Sequence, residues 1–289
     1  MSGDIEVTAV FGFLAVLRNV CLRFPDHTPI VLWDSSPSWR VDIYPDYKAN
    51  RKDNPTVAAA TKALRPQRPI IKDLLKNLGV RQYTADRYEA DDLAADLSKR
   101  MSSRGGKVVL VTRDADWQQL INEHVIWYDH KNDKIIHDKN FQEETGYKTP
   151  SHFVHGKSIH GDTSDNIPGV GGLGEGAARL ILSKYDSLTD LFAAWLDHLR
   201  DIKIGTPWSR YKTKIATALN NPETLKKYAL NLKLMDLGRD YSDVVYQTDS
   251  RYDKALVKGQ FAKLGFHSLL SKYDKWLEPL QRGLVGYEN

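Results

Sequence analysis

The amino-acid sequence predicts an α/β fold, with a mostly parallel sheet in the first half and helices through the second. Three observations carry this. Two β-branched apolar runs, 29–33 and 107–112, stop at Asp34 and at Arg113-Asp114, as buried parallel strands bounded by turn residues do. Helical periodicity fills the sequence between them, the alternation that builds an α/β sheet. Beyond about residue 150 the patterning is almost entirely helical.

The elements follow in order. The apolar stretch 7–17 reads as an amphipathic core helix; it is too short to cross a bilayer and lacks the basic flank of an export signal. The segment 69–78 opens on Pro69 and stops before Gly79, a well-formed start and stop. In 90–101, Leu93, Leu97 and Met101 share one helical face, and 125–127 reads as a third strand. Helices are expected at 151–160, 176–185, 188–199, 211–219, 223–232 and 268–277. A glycine-rich joint at 169–174 separates the first two and reads as a helix–hairpin–helix, a sequence-independent grip on duplex backbones. The expected organisation is a core at 1–150, a helix–hairpin–helix region at 151–235 and a C-terminal segment at 236–289 packing back on the core.

With 289 residues, 41% hydrophobic and 27% charged, the chain can bury a real core. A single cysteine, Cys21, excludes an intrachain disulfide and a multi-cysteine zinc site, and fits a reducing compartment. His152, His155 and His160 have no such partners and read as packing or surface histidines. Net charge is only +4, yet residues 40–72 hold eight bases against three acids, an excess of +5. The remainder is therefore slightly acidic, which suggests a phosphate backbone held by one region and a metal by another.

The acids fall at the expected strand ends and in loops: Asp34, Glu89-Ala-Asp91-Asp92, Asp114-Ala-Asp116 and Asp162-Thr-Ser-Asp165. Each group alone also fits a helix-dipole complement, a cap or a solvated turn. Together they suggest a cluster. Like charges about 4 Å apart repel by roughly 4 kcal/mol at an effective dielectric near 20, so such a cluster calls for divalent cations. All-oxygen ligands select Mg²⁺ or Mn²⁺ over zinc, and two such ions can activate water and stabilise the leaving oxygen of a phosphodiester.

The stretch Asp46-Tyr47-Lys48-Ala-Asn-Arg51-Lys52 sets two phosphate-binding side chains three residues apart beside an aromatic. Tyr47 could stack on an unpaired base, although a solvated basic face is the plainer alternative. The joint Pro168-Gly169-Val-Gly171-Gly172-Leu-Gly174 leads into a helix.

In this order, the motifs resemble the 5′ nuclease superfamily over about residues 8–280: the flap endonucleases and 5′–3′ exonucleases of bacteriophages and the 5′-nuclease domain of bacterial DNA polymerase I. The resemblance implies a PIN-like core, a helical arch at about 46–72 and a hairpin that holds duplex DNA. It implies hydrolysis of DNA at 5′ flaps and 5′ ends with two Mg²⁺ (or Mn²⁺), and a K⁺ on the hairpin. Asp34, Glu89, Asp91, Asp92, Asp114, Asp116, Asp162 and Asp165 would serve the metals. Lys48 would contact the scissile phosphate, Arg51 would support it and Tyr47 would orient the end base. Lys52, Lys62, Arg65, Arg68, Lys157, Gly169, Gly171, Gly172 and Gly174 would contact DNA. A monomer in the cytoplasm (the host's, if phage-encoded), acting on DNA or on an RNA primer in a duplex and on no membrane, completes the expectation.

The chain departs from the family at one point. The family begins with a strand ending in Asp-Gly, whereas here Met1–Thr8 leads straight into what resembles the family's first helix. The expectation is a sheet lacking its first strand and one carboxylate. That leaves an alternative reading, a DNA-structure-binding protein without chemistry, and more remotely an RNA-directed nuclease with little need of the glycine hairpin.

Overall fold

The structure is a computed structural model that describes residues 6–52, 54–247 and 250–282, without the side chains of Lys52 and Asp201. The start of the chain, where a first strand is expected to be missing, lies partly outside these residues. Two compact units interleave in sequence, where consecutive segments were expected. Unit 1 is Met1–Ser38, Lys52–Asp96 and Tyr241–Asn289; unit 2 is Trp39–Arg51 and Leu97–Asp240.

Along the chain, helix α1 (Thr8–Arg23) is followed by strand β1 (Ile30–Leu32), the short helix α2 (Arg40–Ile43), a 3₁₀ turn at Ala49–Lys52, and helices α3 (Pro55–Leu64) and α4 (Arg68–Asn77). Strand β2 (Arg81–Tyr83), helix α5 (Ala90–Ser102), strand β3 (Val108–Val111), a 3₁₀ turn at Ala115–Leu120 and strands β4 (Val125–Asp129) and β5 (Lys134–Ile136) come next. The helical part holds α6 (Phe141–Thr145), α7 (Pro150–His160), the two-residue strands β6 (Gly161–Asp162) and β7 (Ile167–Pro168), α8 (Glu175–Lys184), α9 (Leu188–Asp201), α10 (Pro207–Leu219) and α11 (Pro222–Met235). Helices α12 (Lys254–Lys263), α13 (His267–Leu270) and α14 (Tyr273–Arg282) close the chain.

Unit 1 carries the parallel pair β1–β2, registered Val31 to Gln82. Its core joins Val10 and Leu14 of α1, Ile71, Leu74 and Leu75 of α4, Val257 and Phe261 of α12, and Leu277 of α14. Tyr273 and Trp276 pack edge-on against Phe261. Helix α3 begins on Pro55, and Asn54 Oδ1 caps it by accepting from the Thr56 and Val57 amides. It buries no residue, so unlike its neighbours it draws no stability from a core face.

Unit 2 carries β3 and β4 in parallel, with β5 antiparallel to β4. Its core gathers Trp127, Phe141, Phe153, Ile159, Leu173, Ile181, Leu188, Leu191, Ile215 and Tyr228. Helices α7 and α8 pack together on either side of the glycine joint. Among the described residues no helix is long and apolar enough to cross a membrane.

Candidate active site

The eight predicted acids divide by unit: Asp34, Glu89, Asp91 and Asp92 belong to unit 1, and Asp114, Asp116, Asp162 and Asp165 to unit 2.

In unit 1 the acids gather at the start of α5. Asp34 follows β1 and is exposed; its Oδ1 accepts from the Ala90 amide at 2.9 Å. Asp92 reaches back one turn, its Oδ2 accepting from the Glu89 amide at 3.0 Å, a capping interaction. Its Oδ1 accepts from the Tyr241 hydroxyl at 3.2 Å, and the residue is fully buried. Asp92 thus has a structural task that the sequence left as an alternative to metal binding. Glu89 is buried and Asp91 half-buried beside it.

In unit 2, Asp114 follows β3 and its Oδ1 accepts from the Asp116 amide at 2.9 Å, capping the 3₁₀ turn. That turn aims Asp116 at Lys157 of α7. The Lys157 ammonium contacts Asp116 Oδ1 and lies 2.7 Å from Asp162 Oδ2. Burial, assisted by Asp114 and Asp162, pushes the Asp116 carboxyl up to about 6 despite the lysine. Burial acts the same way on Asp162, but Lys157 and the hydroxyl and amide of Ser164 outweigh it and hold that carboxyl down at about 2. The Lys157 ammonium is opposed by burial, yet its two carboxylates raise it above its ordinary range.

Asp165 is the meeting point of two separately predicted motifs. Its Oδ2 accepts from the Tyr47 hydroxyl at 3.0 Å, its Oδ1 from Arg51 Nη2 at 2.7 Å, and Lys48 Nζ stands 3.8 Å away. The backbones lock as well. The Lys48 amide donates to the Asp165 carbonyl at 2.9 Å, Asn50 Nδ2 to the Thr163 carbonyl at 2.7 Å, and Asn166 Nδ2 to the Asp46 carbonyl at 2.8 Å. Lys48 holds φ +57°, a left-handed conformation that costs a non-glycine residue of order 1–3 kcal/mol and concentrates at functional sites. Sequence reasoning missed the roles of Asn50, Ser164 and Asn166. The signal was present, because Ser and Asn in a tight loop bind neighbouring backbone or side-chain groups.

Two expectations need correction. Tyr47 is buried with Ile167, Leu234 and Met235, so its ring is not offered to a base; its hydroxyl positions Asp165 instead. The acids of unit 2 do not depend on divalent ions to be tolerated, since Lys157, Lys48 and Arg51 already oppose them. Among the described residues no three His, Cys, Asp or Glu side chains form a ready-made metal cage. The donor chemistry nonetheless fits a hard cation. Asp116 and Asp162 offer only carboxylate oxygens, and an ammonium stands between them as a stand-in cation.

The remaining predicted contacts are scattered. Lys62 and Arg65 are exposed on and just after α3, and Arg68 opens α4. The Lys52 side chain lies outside the described residues. In the glycine joint, Gly169 and Gly171 serve packing: a Cβ at Gly169 would stand 2.4 Å from the His160 carbonyl oxygen, and one at Gly171 2.3 Å from Ala218 Cβ. Gly172 and Gly174 have nothing within 4 Å of such a Cβ and leave their backbone open to a ligand.

Comparison with known proteins identifies the family. Residues 1–146, just over half of the chain, match the family described as 5′-3′ exonuclease, N-terminal resolvase-like domain. DNA polymerase I of Chloroflexus aurantiacus is 33% identical over 189 residues, which cover 63% of this chain and 19% of that protein. The 5′-3′ exonuclease of Buchnera aphidicola is 29% identical over 64% of this chain and 63% of its own, and that of Aquifex aeolicus is 28% identical over 95% and 88%. The chain therefore spans about a fifth of the polymerase and less than two thirds of the Buchnera protein. The T5 5′-exonuclease with bound zinc shares the fold at TM-score 0.65 and 22% identity, over 94% of this chain and 90% of that one. The bacteriophage T5 flap endonuclease, solved as a pseudo-enzyme–product complex with DNA and metal ions, matches at TM-score 0.65 and 21% identity, over 93% and 90%. The chain belongs to the family of the 5′-3′ exonuclease N-terminal, resolvase-like domain.

Proposed function

We propose that this chain is a structure-specific 5′ nuclease that hydrolyses DNA phosphodiesters at 5′ flaps and free 5′ ends. It would use two Mg²⁺ or Mn²⁺ held by the predicted carboxylates. The observation that carries the reading is the placement of Lys157 between Asp116 and Asp162, which supports a cation position among hard oxygen donors. Bound ions would supply an activated water and offset charge on the leaving oxygen.

The chain's own residues do the rest. Asp162, held near 2, is a full anion at neutral pH. Tyr47 and Arg51 fix Asp165, and the 163–166 loop fixes the strained backbone of Lys48. Held this way, the Lys48 ammonium can donate to a non-bridging phosphate oxygen as charge develops there, which is preorganised electrostatic stabilisation. Gly172 and Gly174 would let the duplex backbone approach α8, with a K⁺ on the hairpin carbonyls.

The test is cleavage of a labelled 5′-flap duplex in Mg²⁺ and then in EDTA, with Asp116→Asn beside the unaltered protein. Cutting that needs the ion and is lost in the variant, with binding retained, is expected. Full activity in the variant would remove the mechanism. Binding without any cutting by the unaltered protein would leave the DNA-structure-binding reading.

A further inference from the structure

We propose that Arg68 and Lys72, one turn apart on α4, form with Trp33 a seat for one phosphate group of a nucleic-acid strand. The inference rests on the nuclease reading only for the identity of the ligand; the geometry lies entirely within unit 1.

Arg68 Cζ is 5.1 Å and Lys72 Nζ 5.0 Å from the centroid of the Trp33 ring. The indole is fixed. Its Nε1 donates to Gln82 Oε1 at 2.9 Å, and Gln82 Nε2 donates to the Lys72 carbonyl at 2.9 Å, so one buried glutamine ties platform to helix. Phe13 stacks near Trp33, 6.2 Å between centroids and 16° from parallel. A ring so enclosed serves as a floor rather than as a stacking surface for a base.

Two cations have thus been drawn to one half-buried indole. No carboxylate among the described residues pairs with either, and the one hydrogen bond of the Arg68 guanidinium goes to the Asp34 carbonyl at 3.0 Å. A cation over an aromatic face gains about 0.5–1 kcal/mol at an exposed site, which accounts for one such contact but not for crowding two like charges. Burial and the neighbouring Arg68 both lower the Lys72 ammonium below its ordinary range. An anion would relieve both effects. A guanidinium fork beside an ammonium point charge matches a tetrahedral oxyanion with several acceptor oxygens. Because Arg68 holds the backbone of Asp34, the seat lies beside the first of the predicted metal-site acids and at the foot of α3.

Lys72→Met and Arg68→Met keep the apolar stems over Trp33 and remove the charge. Binding of a fluorescent duplex carrying a single-stranded 5′ overhang is followed in EDTA across a KCl series, with 5′-phosphate and 5′-hydroxyl versions. Each variant should bind several-fold more weakly at low salt, with the slope of log K against log salt reduced by about 0.7–0.9. Equal loss on both versions assigns the seat to an internal phosphodiester; loss confined to the phosphorylated strand assigns it to the terminal phosphate. Both variants binding with unaltered affinity and slope, with circular dichroism matching the parent, would overturn the proposal. Failure of the unaltered protein to cut in Mg²⁺ would instead defeat the nuclease reading and leave the seat standing.

Discussion

Lys157 Nζ lies 2.7 Å from Asp162 Oδ2 and also contacts Asp116 Oδ1, so a single ammonium closes the space between two carboxylates. All three side chains are largely withdrawn from solvent, with 15%, 13% and 21% exposure for Lys157, Asp162 and Asp116. In such a setting the attraction is weakly screened, and losing one partner strands the others.

Lys157→Met should therefore destabilise the metal-free protein by about 2–3 kcal/mol, somewhat below the 3–5 kcal/mol of a fully buried pair. Mn²⁺ should restore more stability to the variant than it adds to the parent, because the ion then meets two carboxylates with no competing ammonium. Urea unfolding with Mn²⁺ and with EDTA checks both halves. Equal Mn²⁺ effects in parent and variant would mean that Lys157 does not occupy the ion's position.

The same cluster sets a pH dependence with two opposite limbs. Asp162 falls from an ordinary 3.8 to about 2 in the folded state, so its contribution is present above pH 3.8 and is lost as pH falls toward 2. Asp116 rises from 3.8 to about 6, so the folded state holds its proton longer and stability declines as pH climbs from about 4 through 6. In EDTA, Asp162→Asn should flatten the acid limb and Asp116→Asn the decline between pH 4 and 6. Unfolding midpoints measured from pH 3 to 7 separate the two, and a decline that survives Asp116→Asn belongs to other groups.

Lys48 separates function from stability. Its φ of +57° is a conformation that glycine adopts without strain. Lys48→Gly relieves that strain but adds freedom to the unfolded chain, so stability should change by less than about 1 kcal/mol. Flap cleavage should fall by on the order of 100-fold, the scale for losing one preorganised electrostatic donor, while DNA binding weakens only a few-fold. Equal losses in cleavage and binding would reduce Lys48 to a backbone contact.

What the sequence disclosed follows from which forces act locally. Strands β1, β3 and β4 and helices α5 and α7–α11 announce themselves by apolar period and caps, and the structure places them within a few residues of the expected ranges. Strand β2 is Arg-Gln-Tyr, with no apolar pattern; it exists because it pairs with β1 and because Gln82 joins Trp33 to the Lys72 carbonyl. Strand β5 begins on a lysine and is fixed by its ladder with β4. The meeting of the 46–51 segment with Asp165 brings together residues more than 110 positions apart, and each was singled out on its own chemistry. Lys157 was the least legible. Nothing in its spacing to Asp162 reveals that Asp116 approaches from the other side, because that approach depends on how the turn after β3 meets α7.

Two adjacent glycines in the joint should respond differently to one added methyl group. Gly171 has φ +56° and packs where a Cβ would stand 2.3 Å from Ala218 Cβ on α10. Gly171→Ala combines a left-handed residue, about 1–2 kcal/mol, with overpacking of about 1–3 kcal/mol, so a loss of about 2–5 kcal/mol is expected. Gly172 has φ +68° but open space around it, so Gly172→Ala should cost only the conformational part. If the open backbone at Gly172 receives a duplex phosphate, the smaller perturbation to folding should carry the larger effect on duplex affinity at equal folded fraction. Thermal unfolding and duplex binding measured on both variants decide the matter. Matched affinity losses would show that the joint contributes only by holding α7 against α8.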